Sequence, residues 1–198
     1  MFMKYLLHAL AVIFLTSTVN PLSAGEIVIY GGAQKPGDLS WSTAGGSITD
    51  VAGDFGGTFG FRYSKGRVIG FEQSIGYSPR FAQPNVRAFQ TDSNLLIQLP
   101  GKIVPYGTVG IGLVRTWGDF PAEMDAGQIA SFVFSIGNKF AINYGGGVKV
   151  RRLWGPMGIN VDVRGYTLPG VGFETEDIRV TDKNFNFIQT TAGMVITW

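Results

Sequence analysis

Apolar side chains in this sequence return at every second position. Phe140, Ile142, Tyr144, Gly146, Val148 and Val150 alternate with Ala141, Asn143, Gly145, Gly147 and Lys149. Ile159, Val161 and Val163 alternate with Asn160, Asp162 and Arg164, and Phe55, Gly57, Phe59, Phe61 and Tyr63 with Gly56, Thr58, Gly60 and Arg62. The final segment sets Ile188, Thr190, Ala192, Met194, Ile196 and Trp198 against Phe187, Gln189, Thr191, Gly193, Val195 and Thr197. Successive side chains of an extended strand point to opposite sides, so this rhythm specifies strands with two unlike faces. No window carries a 3.6-residue period. The segments fall at about 26–34, 53–63, 67–78, 88–99, 104–117, 139–151, 157–167 and 186–198, which makes eight.

Strands of this kind suit a soluble or a membrane protein, and composition separates the two. Hydrophobic residues make up 45% of the 198-residue chain and charged residues only 15%, with 29 Gly and a mean hydropathy of +0.17. Soluble domains carry about 25% charged residues. Residues 1–24 read as an export signal: Lys4, then an apolar run from Tyr5 to Leu15, then Leu22-Ser23-Ala24 before Gly25. That run is too short to span a bilayer as a helix. Beyond it the longest uncharged stretch is Asn184–Trp198, 15 residues rich in Asn, Gln and Thr, where a spanning helix needs about 20 apolar ones. An exported, apolar chain without a membrane helix can still cross a membrane as a closed β-barrel. The expected organisation is therefore a signal peptide over 1–24 and a single barrel domain over 25–198.

The connections support an all-β, closed, antiparallel up-and-down barrel. Those at 64–67, 100–103 and 152–156 are short, while 35–52, 79–87, 118–138 and 168–185 are longer. Short turns at one end and long loops at the other are the habit of outer-membrane barrels, which also favour even strand numbers. Residues 129–136 could add a ninth strand, so a ten-stranded barrel with a further strand inside 35–52 is the reserve reading. The alternative of a soluble, lipocalin-like carrier would place the apolar face inward. The residues on the polar face decide against it: Arg62, Glu72, Lys149, Asp162 and Arg164 would each be costly facing lipid, but can pair with one another inside. They form the expected lumen charge cluster, with bases in excess. Arg115 and Gln73 fall on apolar faces and break the pattern; Arg115 can snorkel beside Trp117.

The chemistry left to such a chain is limited. Zero Cys excludes disulfides and thiol chemistry, and the near-zero net charge of +2 offers nothing to nucleic acid. Gly145-Gly146-Gly147 lies within a strand pattern with no helix to follow, so it does not read as a phosphate loop. The Glu174-Thr175-Glu176-Asp177 run reads as solvated loop surface rather than a cation site. No metal, cofactor or catalytic residue is expected. His8, the one histidine, lies in the signal, which leaves the exported chain without an imidazole.

At the C-terminus, Thr191-Ala192-Gly193-Met194-Val195-Ile196-Thr197-Trp198 resembles the β-signal of Gram-negative outer-membrane proteins. With Asn143-Tyr144-Gly145-Gly146-Gly147-Val148-Lys149 and Asp162-Val163-Arg164-Gly165-Tyr166, the chain is similar to the small eight-stranded barrels of the outer-membrane protein A transmembrane-domain kind. The resemblance implies a monomer in outer-membrane lipid, delivered by the barrel-assembly machinery, which would read Thr191, Gly193, Ile196 and Trp198. The barrel enzymes of that architecture depend on histidine, so the expectation is a non-enzymatic scaffold carrying four long external loops. A small gated solute channel with a charged lumen is the alternative.

Overall fold

The computed structural model describes residues 25–37, 39–42, 48–51, 55–81, 86–118, 137–175 and 178–198. Its strands are β1 (Gly25–Pro36), β2 (Leu39–Ser42), β3 (Ile48–Val51), β4 (Gly56–Gly66), β5 (Ile69–Ser78), β6 (Val86–Gln98), β7 (Ile103–Gly118), β8 (Gly137–Trp154), β9 (Met157–Thr175) and β10 (Ile178–Thr197). Eight of them close a barrel in the order β1-β10-β9-β8-β7-β6-β5-β4, and every neighbouring pair is antiparallel. Closure comes from β1 and β10, paired without a break from Glu26↔Thr197 to Pro36↔Phe187. A closed sheet has no edge strand, so no row of backbone N–H and C=O groups is left for lipid to meet.

The ten-stranded reserve reading is corrected here. Two further strands do follow β1 in the chain, but β2 and β3 make a separate two-stranded sheet outside the barrel wall. The expected long connection over 168–185 also changes. β9 and β10 run through most of it, from Ile178↔Thr175 downward, with register shifts between Val180 and Phe185. Hydrogen-bonded hairpin continues where Gly, Pro and charged residues suggest a loop. The 129–136 segment lies outside the described residues.

Alternation sorts the faces cleanly. Phe61 is 49% exposed, while its neighbour Arg62 is 2% exposed and turned into the barrel. Ile29, Phe59, Leu95, Ile111, Ile142, Val161 and Ile188 all point outward. A soluble barrel would have the reverse arrangement, so the carrier reading fails on the identity of its surface. Every barrel strand has at least ten residues, enough to cross a hydrocarbon core of about 30 Å when tilted.

Inward glycines make this crowding possible. A methyl group on Gly112 would strike the Asp92 carboxylate, one on Gly110 the Asn94 amide, and one on Gly145 would sit 3.0 Å from Arg164 Cγ. The polar interior thus lies over strand positions that have no side chain of their own. Gln73, which breaks the outward pattern, has its amide closed off on the barrel surface. It accepts from Ser93 Oγ at 2.7 Å and donates to Thr91 Oγ1 at 3.2 Å, both on the adjacent strand.

Candidate functional site

The most elaborate chemistry in the molecule fills the barrel interior. At its centre stands Asp162, on β9. Arg62 Nη1 reaches its Oδ2 at 2.6 Å and Arg164 Nη2 reaches the same oxygen at 3.0 Å. Tyr106 Oη donates to Oδ2 at 2.7 Å, and Thr191 Oγ1 donates to Oδ1 at 2.6 Å. Arg164 also holds Glu72 at 2.7 Å, and Asn94 Nδ2 donates to that carboxylate at 3.0 Å. Arg62 lies 4.0 Å over the ring of Tyr30 and donates to Thr191 Oγ1 at 3.0 Å. Strands β1, β4, β5, β6, β7, β9 and β10 all contribute, so the network ties the wall together across its diameter.

A second layer lies nearer the short-turn end. Lys149 donates to Glu26 at 2.8 Å, Arg151 pairs with the other oxygen of the same carboxylate, and Ser64 and Thr197 hydroxyls complete its shell. Tyr106 joins the two layers, since Lys149 rests 4.8 Å over its ring while its hydroxyl serves Asp162. Of the five lumen charges expected from sequence, Arg62, Glu72, Asp162 and Arg164 share one network and Lys149 belongs to the other.

The sequence expectation omits Glu26, Asp92 and Arg151 from the interior. With them, four interior carboxylates (Glu26, Glu72, Asp92, Asp162) face four cations (Arg62, Lys149, Arg151, Arg164), which corrects the expected excess of bases. The signal was available: Glu26 and Asp92 both hold inward places in their strands' alternation. Asp92 differs from the other three in having no cation within ion-pair distance among the described residues. Ser74, Gln90 and Tyr166 donate to its Oδ2 at 2.8, 2.8 and 3.3 Å.

Toward the long-loop end the interior turns apolar. Tyr166 and Phe187 stack at 4.5 Å with planes 5° apart, and Phe81 meets Phe187 edge-on at 5.2 Å. Phe185, Leu168, Val86, Ala88, Val114 and Ala141 complete this cluster. Phe81 comes from the β5–β6 connection, folded inward and held by a backbone bond from its N–H to Val86 O at 2.7 Å. No sequence period marks a loop residue that turns inside.

The four β-signal positions take different places on β10. Thr191 faces the lumen network, and Gly193 packs against the Ile29–Tyr30 backbone of β1. Ile196 lies on the outer face opposite Ile27, while the Trp198 ring stacks on Tyr63 at 6.3 Å. Among the described residues no three His, Cys, Asp or Glu side chains gather to hold a metal.

Solved structures with this architecture exist. Neisserial surface protein A aligns with a TM-score of 0.54 and 10% identity over 89% of this chain and 96% of that one. The outer membrane protein OprG from Pseudomonas aeruginosa gives 0.49 and 13% over 89% and 97%, and the N-terminal barrel domain of Pseudomonas aeruginosa OprF gives 0.47 and 9% over 86% and 96%. No family model matches the sequence, and no curated protein matches it either. The chain has the fold of the small outer-membrane barrels. At these identities the likeness extends to fold alone.

Proposed function

We propose that this chain is an integral outer-membrane barrel of the outer-membrane protein A transmembrane-domain kind, a non-enzymatic scaffold that holds its long connections at the cell surface. The observation that carries this reading is the interior: two ion-paired layers beneath an aromatic cluster leave the cross-section filled by side chains, as expected for eight strands. Residues 1–24 would direct export and be removed, and Thr191, Gly193, Ile196 and Trp198 would guide insertion by the barrel-assembly machinery. The short-turn end, with Arg67 and Lys102 in its turns and Lys65 and Arg152 on the strands beside them, would then face the periplasm. The barrel would work as a monomer.

One observation favours a second reading, a small gated solute channel. Asp92 Oδ1, Asn94 Oδ1, Thr108 Oγ1, Gln189 Oε1 and both amide atoms of Asn143 are buried without a protein partner. Buried polar atoms demand partners, and a mixed set of donors and acceptors suits water. Planar-bilayer recording separates the two readings. The scaffold gives no stable single-channel steps; steps that change with Glu72→Gln or Arg164→Ala would establish the channel. Fractionation with outer membranes and a heat-dependent shift in gel mobility test the location.

A further inference from the structure

Arg87 and Arg115 are charges of a different kind from those inside. Both stand on outward positions of the paired strands β6 and β7, and both are exposed. The register sets Arg87 opposite Trp117 and Arg115 opposite Phe89, so the two arginines are diagonal neighbours across the strand pair. Such neighbours lie roughly 7–8 Å apart, close enough for two long side chains to converge on one group. Like charges so placed repel unless an anion lies between them.

No such anion comes from the described part of the chain. The four carboxylates whose side chains are described all face the interior, where Glu26, Glu72 and Asp162 make their ion pairs and Asp92 its hydrogen bonds. The surroundings of the two arginines fix their depth. Tyr77 lies opposite Phe89, its ring 6.1 Å from Trp117 and 5.5 Å from Phe59. Rings with an apolar body and a polar tip collect where hydrocarbon gives way to headgroups. At that depth an outward arginine is tolerated, whereas at mid-membrane it is not.

We propose that Arg87 and Arg115, with Tyr77, Phe89 and Trp117, form a binding site on the outside of the barrel for the phosphate of a membrane lipid in the leaflet at the long-loop end. Two guanidinium forks supply paired donors to the phosphate oxygens, and the aromatic surface takes the adjoining acyl chains. The inference rests on the membrane reading given above, and it names a lipid partner that reading leaves unspecified.

The test uses the full barrel refolded in detergent and titrated with bis-phosphorylated lipid A, with bound lipid counted by native mass spectrometry. The wild type should bind it and should not bind the dephosphorylated lipid. Arg87→Gln together with Arg115→Gln should weaken binding about tenfold or more, since both guanidinium groups act on the same phosphate. Arg67→Gln with Lys102→Gln, at the other end of the barrel, should leave binding unchanged. Equal binding by the wild type and the Arg87/Arg115 double variant overturns the site. So does equal binding of the dephosphorylated lipid, or an equal loss with the Arg67/Lys102 variant. Each protein is also run boiled and unboiled on a gel. A preserved heat-dependent shift with no lipid effect condemns the site alone, whereas a wild type without that shift condemns the membrane reading beneath it.

Discussion

Asp162 shows what a single residue does in this molecule. Its carboxylate is sealed from solvent and receives two arginines, a phenol and a threonine hydroxyl. Removing one partner of a buried pair leaves the others uncompensated, which is more damaging than the pair is stabilising. Asp162→Asn should therefore cost about 3–5 kcal/mol, read from urea titration of the folded, fast-migrating gel band. Thr191→Val should cost less, about 1–2 kcal/mol, because its hydroxyl donates to Asp162 and accepts from Arg62. The two substitutions share partners, so the double variant should fall short of their sum by about 0.5 kcal/mol or more. Strict additivity would mean that Thr191 acts independently of the network. The outcome also bears on the β-signal, since a loss of stability at Thr191 would have a cause inside the lumen, apart from any reading by the assembly machinery.

At the scale of the strand, glycines divide into two classes by the face they occupy. Gly147 faces inward, where a methyl group would meet Asp162 and the backbone of Val161. Gly57 faces outward with nothing within 4 Å of the same added atom. Gly147→Ala should destabilise by about 1–3 kcal/mol, the usual cost of overpacking, while Gly57→Ala should be neutral or stabilising, because alanine loses less backbone entropy in a strand. Equal effects in urea titration would remove the claim that inward glycines exist to seat the charges. This is also where the legibility of the sequence ends. The eight barrel strands and their faces were readable because period two is local, and Arg62, Glu72, Lys149, Asp162 and Arg164 followed from it. Which charges pair was not readable, since Lys149 meets Glu26 across 123 positions of sequence and Arg62 meets Asp162 across 100. The separate β2–β3 pair and the extended β9–β10 arm were hidden for another reason: on the proposed membrane topology they stand clear of the lipid, where no lipid face imposes alternation.

On the scaffold reading proposed above, the interior is closed twice in series, by paired charges and by a cluster of aromatic side chains. The two closures should be separable. Among the described residues of the aromatic cluster, Phe81 comes from a connection rather than a barrel strand, so its removal should open the aromatic level without touching an ion pair. Ser78 lies opposite Ala88 at the level of that cluster, and Ser64 lies beside Glu26 on the far side of the Asp162 network. The absence of cysteine from the chain makes Ser78→Cys and Ser64→Cys clean reporters. In the parent barrel both should react slowly with a small charged thiol reagent added at the long-loop side. Adding Phe81→Ala should speed modification at position 78 by roughly tenfold or more, as expected when a local barrier to opening falls. Position 64 should stay slow, and the same variant should give no single-channel steps, because the Arg62–Asp162–Arg164–Glu72 layer still spans the lumen. Acceleration at both positions, or conductance from Phe81→Ala alone, would place the whole seal in the aromatic level and reduce the ion pairs to struts of the wall.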